Sequence, residues 1–98
     1  MIHLLVTSSI ADAETISFGP VFTTARINHV MGYLKDVEYQ FNQEKDLKDD
    51  SRVILVVEQV EEPSEPLFPD GDLRALGAAA LAMLRRQYRE QYEEMQNV

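Results

Sequence analysis

The chain has 98 residues, a formal net charge of −8 and no cysteine. That length is one domain, long enough to bury a core without staples, and the missing sulfur excludes disulfides, thiolate chemistry and sulfur-ligated zinc. The charge opposes nucleic-acid binding, because affinity for phosphate needs cations to displace counterions. Its placement is uneven: residues 1–35 sum to zero, residues 73–98 to +1, and residues 36–72 carry −9 from twelve acids against Lys45, Lys48 and Arg52. Such a segment attracts a basic protein surface and speeds encounter with it.

The longest apolar stretch, 73–84, falls short of the roughly 20 residues a membrane helix needs and is interrupted or flanked by Arg74, Arg85 and Arg86. The first residues lack a basic region and their apolar run is too short for a secretion signal. A cytoplasmic product is expected.

In chain order, Ile2 to Thr7 alternates loosely, with Ile2, Leu4 and Val6 on one face, and reads as a strand. Glu14 to Phe18 alternates again and completes an antiparallel hairpin, ended by Gly19-Pro20 because proline cannot donate to a ladder. Thr23 or Thr24 then caps a helix from about Thr24 to about Glu44, whose apolar face is Ile27, Val30, Met31, Leu34, Val37 and Phe41. Gly32 costs that helix roughly 1 kcal/mol relative to Ala, which a close approach by another backbone would explain. Arg52 to Val60 follows, and its apolar run Val53 to Val57 predicts an interior strand covered, at least in part, on both faces.

Residues 63–71 form a proline-rich acidic connector, and Asp70 or Asp72 is placed to cap the last helix. From Leu73 to Met95 the pattern is one long helix. Its first half, to Leu84, is apolar on nearly every side and wants burial all round. Its second half, residues 85–98, is polar except for Tyr88, Tyr92 and Met95 at helical spacing, and extends past the globule. The expected architecture is a single α+β domain over 1–98. It is a two-layer sandwich in which a three-stranded mixed sheet (β-β-α-β-α) carries two helices on one face. The apolar third strand predicts that something, such as a second copy, also touches the other face.

No residue pattern announces chemistry. His3 and His29 have no partners at ligand spacing, so each reads as an ordinary half-buried histidine. Asp46, Asp49 and Asp50, and Asp70 with Asp72, lack the layout of a calcium loop. Glu58, Glu61 and Glu62 read as a solvated strand end, and Ser8 and Ser9 have no visible base. Arg85, Arg86 and Arg89 beside Tyr88 and Tyr92 suit nucleic acid less well than a helix surface, with Arg86–Glu90 and Arg89–Glu93 as i to i+4 pairs. No catalytic residue, cofactor or metal is assigned.

The function expected is therefore a non-enzymatic protein-binding module. Asp46, Asp49, Asp50, Glu58, Glu61 and Glu62 would meet a basic protein surface, without membrane or direct nucleic-acid binding. Leu81, Leu84, Tyr88, Tyr92 and Met95 would make a homodimer. In size and composition the chain resembles accessory proteins of phages and mobile elements, including inhibitors of a host defence or nucleic-acid-binding protein. Two alternatives stand beside this: a small-molecule-binding or catalytic domain with a carboxylate-lined pocket, and a purely structural homo-oligomeric subunit.

Overall fold

Alternating strands need a sheet with one face on a core. The computed structural model, which describes residues 2–61 and 68–94, supplies one of three strands. β1 (Ile2–Ser8) is the middle strand, with Leu4 and Val6 fully buried. β2 (Ile16–Val21) runs antiparallel on one side, setting Phe18 opposite Leu4 and Ile16 opposite Val6. β3 (Leu55–Val60) runs antiparallel on the other, setting Val57 opposite Val6 and Leu55 opposite Ser8. The order is β2-β1-β3. β2 and β3 therefore point the same way, as a helical crossover requires. They never touch, because β1 lies between them. The sheet is antiparallel at every strand pair, not mixed; its one parallel link is a single bridge from Phe68 to Phe18.

The two helices share one face of this sheet. In α1 (Thr24–Glu44) the Thr23 hydroxyl accepts from the Arg26 amide at 3.0 Å, and Val30, Leu34, Val37 and Phe41 face inward. α2 (Leu73–Tyr88) adds Leu76, Ala80, Met83 and Leu84. These side chains and the inward residues of all three strands make the core, with Phe41, Val53 and Leu84 as a smaller cluster at one end.

Several local expectations are corrected by this packing. β3 is an edge strand rather than an interior one: Leu55 and Val57 meet the helices, while Ile54 and Val56 look out from the uncovered face. β2 continues through Gly19 and Pro20, which an edge strand tolerates. Gly19 has φ of +146°, and a Cβ there would press on the His3 ring. Gly32 faces open space; the close approach is at Gly77, where a Cβ would overlap the ring of Tyr33. α2 is not buried all round, since Ala78 and Ala82 are exposed, and a methyl group costs little in water.

The helix also changes phase. Residues Arg89–Glu93 form a π-helical turn, which shifts Glu94 around the axis relative to a regular helix. Asp72 occupies the cap position without a capping bond, and Asp70 instead holds Arg26 at 2.9 Å. No helix among the described residues is long and apolar enough to cross a membrane. Of the residues expected to bind partners, Glu62 and Met95 lie outside the described residues, as do positions 63–67 of the connector.

Candidate functional site

β3 is placed by two polar side chains of α1. The buried Asn42 amide accepts from the Val53 N–H and donates to the Val53 carbonyl, both at 2.9 Å, imitating a strand partner. One turn earlier, a Glu38 carboxylate oxygen accepts from the Leu55 N–H at 2.8 Å. Ser9 donates its amide to the Ile54 carbonyl at 2.9 Å. Antiparallel strands alternate between residues that bond inward and residues that bond outward. Ile54, Val56, Glu58 and Val60 thus bond toward β1. The backbone groups of Leu55, Val57 and Gln59 point out from the sheet, and among the described residues only the Leu55 N–H is taken.

This edge collects exposed apolar surface. Of six large hydrophobic side chains exposed among the described residues, Ile54 (43% exposed) and Val56 (46%) lie on the open face of the sheet, and Met31 lies on α1 beside β3. Met31, Leu34, Leu55 and Val57 line a shallow groove of about 70 Å³ between α1 and β3, with Lys35 and Glu38 at its rim. Sequence periodicity assigns Met31 to the core face of α1; the helix instead turns it toward this groove. Singly exposed apolar residues are ordinary, but Ile54 and Val56 are neighbours on one face of the strand and form a small patch.

The expected acidic site is distributed along the same strand. Asp46, Asp49 and Asp50 sit in the loop before β3, Glu58 is on its open face, and Glu61 follows its end. From Asp50 to Glu61 the chain spans about 36 Å if extended, so these carboxylates form a line rather than a cluster. No three of the described His, Asp or Glu side chains come close enough to hold a metal ion.

Six of the nine basic residues are occupied by ion pairs with acids. Arg85 grips Glu44 at the end of α1, at 2.5 and 2.9 Å. Arg86 reaches Glu14 before β2 at 2.6 and 2.8 Å, rather than Glu90 on its own helix. Lys45 meets Glu93, Arg26 meets Asp70, and Lys48 lies 3.8 Å from Asp46. Arg89 pairs with Glu94, five residues on, because the π turn has displaced Glu93 from the i+4 position. The hydrogen bond from Arg85 holds the Glu44 carboxyl below its ordinary pKa, and the same bond raises that of Arg85. Arg86 is raised in the same way by Glu14. These pairs fasten the end of α2 to its own globule. Asp49, Asp50, Glu58 and Glu61 have no such partner among the described residues.

The residues expected to drive self-association are placed unequally. Leu84 is fully buried in the chain's own core and Leu81 packs beside it. Tyr88 lies edge-on to Phe41, with ring centres 5.7 Å apart, and Lys45 sits 5.5 Å above its ring. Tyr92 leans on Tyr88 and remains 50% exposed. These two tyrosines form one wall of an open cleft of about 500 Å³, closed opposite by Ile10, Leu47 and Val53 and rimmed by Asp50 and Arg52.

No protein-family model matches this chain, and comparison with curated proteins and with solved structures finds no significant match.

His29 is exposed, and its Nδ1 accepts from the Arg26 guanidinium at 3.1 Å, which places its proton on Nε2. His3 is buried beside Gly19 on the outer face, its Nδ1 without a hydrogen-bond partner among the described residues. A buried bond from the Ser8 hydroxyl to Gln87 ties β1 to α2. Asn42 and Glu38, which set the strand edge, escaped the sequence reading. A polar residue one step from an apolar stripe is the only signal they give.

Proposed function

We propose that the protein is a binding module whose acidic strand edge docks on a basic surface of another protein. One observation supports this above the rest. Among the described residues the chain pairs most of its cations internally and leaves Asp49, Asp50, Glu58 and Glu61 without ion pairs near exposed Ile54 and Val56. An apolar patch flanked by mainly acidic unpaired charge is the composition of a specific, electrostatically steered interface. A basic surface that otherwise holds nucleic acid fits this chemistry, and occupying it would inhibit its owner.

The test is affinity capture at low and high salt, with the full chain and with a variant in which Asp49, Asp50, Glu58 and Glu61 become amides. The expected outcome is a partner lost at high salt and lost again with the variant. Retention of the same partner by both, at either salt, removes the acidic edge from the reading.

A second reading draws on the tyrosine-walled cleft, whose volume suits a small ligand. It predicts thermal stabilisation that grows with ligand concentration in a metabolite screen, and loss of that stabilisation in Tyr92→Ala.

A further inference from the structure

The cleft walled by Tyr88 and Tyr92 has an apolar lining and a rim with one uncommitted charge of each sign. We propose that it binds a free α-amino acid with an aromatic or branched apolar side chain, the ammonium held by Asp50 and the carboxylate by Arg52. The inference rests on the second reading above, that the cleft takes a small ligand, and adds the chemical class of that ligand.

The lining suits the side chain. Tyr88 is held edge-on to Phe41 and beneath Lys45. Tyr92 leans on it, with ring centres 4.9 Å apart and planes at 44°, and is half exposed. Val53 belongs to the smaller core cluster, and Ile10 and Leu47 pack against that cluster from the opposite wall. Two tilted rings facing three aliphatic side chains leave a slot for a flat or branched apolar group. The volume of about 500 Å³ lies in the range of small-molecule sites. A ligand ring in the slot gains edge-on or offset contact with Tyr92.

The rim selects the polar head. Ser9 Oγ accepts from the Ile54 amide at 3.0 Å, and Ser51 Oγ accepts from the Lys48 amide and donates to the Lys48 carbonyl. Asp50 and Arg52 differ: among the described residues neither side chain makes an ion pair, with the other or with any third group. A simple anion entering the cleft meets Asp50, and a simple cation meets Arg52, each a like-charge contact. A wholly apolar molecule takes water from both charges and returns no hydrogen bond. A zwitterion satisfies both with charge-assisted bonds. A peptide end brings one of the two charges and a neutral amide in place of the other, so the free amino acid matches the rim.

The test is titration of the full chain, followed by backbone amide NMR shifts, with three compounds. They are L-phenylalanine, 3-phenylpropionate, which lacks the ammonium, and phenethylamine, which lacks the carboxylate. L-phenylalanine should shift Ile10, Val53 and Tyr92 and bind about fivefold more tightly than either analogue, the upper end for one exposed ion pair. Asp50→Asn should bring phenylalanine and 3-phenylpropionate to equal affinity. Arg52→Gln should do the same for phenylalanine and phenethylamine. Tyr92→Ala should weaken all three about tenfold, as loss of one aromatic contact and its buried area implies. An analogue that binds the parent at the cleft as tightly as phenylalanine overturns the amino-acid inference and leaves the cleft a ligand site. So does a preference that survives both charge-neutral variants. Shifts confined to Lys35, Tyr39 and Gln43 overturn it by placing the ligand in the neighbouring cleft that Arg52 also borders. Binding of none of the three overturns it as well, and the metabolite screen then judges the cleft separately.

Discussion

The two edges of the sheet are finished in different ways. At the β2 edge the chain returns: the Phe68 amide donates to the Ser17 carbonyl at 3.0 Å, and the Phe68 carbonyl accepts from the Gly19 amide at 3.1 Å. At the β3 edge one carboxylate, Glu38, occupies one amide. An edge strand with free backbone groups is a template for further pairing unless it is covered or charged. One edge is closed by backbone; the other is left to side chains and flanking charges. The difference teaches that exposure of Val56 and Ile54 follows from an edge position and an uncovered sheet face, and not from how apolar the strand is.

Four measurements break or sharpen this contrast. The largest effect is expected for Asn42→Ala, which orphans the Val53 N–H and carbonyl at the root of the open edge. At about 1–3 kcal/mol for each buried group left unsatisfied, the loss should be roughly 2–6 kcal/mol by chemical denaturation. An unchanged midpoint would mean that water replaces the amide without cost. Phe68→Ala attacks the closed edge. Its ring is half-buried against the core, so about half the usual loss for a buried phenylalanine applies, roughly 2 kcal/mol. Hydrogen exchange at Gly19 should then rise toward the rate at Val57 and Gln59.

Glu38→Ala extends the open edge by one amide. It should cost about 1 kcal/mol for the lost hydrogen bond and accelerate exchange at Leu55, leaving Gly19 unchanged. The smallest effect belongs to Glu44–Arg85, which touches neither edge. Glu44 has its folded pKa lowered by the Arg85 hydrogen bond, against a smaller opposing effect of burial. Its contribution is therefore present above the ordinary glutamate pKa of about 4.3 and is lost as the pH falls from there through the lower folded value. Thermal unfolding in acid should show a decline that Glu44→Gln flattens. The ratio of exchange rates at the two edges should stay the same throughout.

Elements with their own periodicity were legible at once. α1 has the expected bounds because Val30, Leu34, Val37 and Phe41 repeat at helical steps and Thr23 caps their start. The two-layer α+β arrangement follows from the order of elements. The site was less legible. Asp49, Asp50, Glu58 and Glu61 are acidic in any reading, but their alignment along an open edge depends on β3 being an edge strand. The helix ends show the same limit. Arg86 has Glu90 at helical spacing, yet it reaches Glu14 on another element, as Arg85 reaches Glu44.

What the sequence determined by itself is what short-range sterics and hydrophobic period decide: which segments coil, which extend, and which side chains share a face. The tertiary structure alone decided that β1 is central, that Gly77 rather than Gly32 meets a neighbour, and that the apolar run into β3 is half exposed. Those outcomes depend on pairings between residues far apart in the chain. Local pattern cannot distinguish a strand buried between two neighbours from one that has a neighbour on only one side.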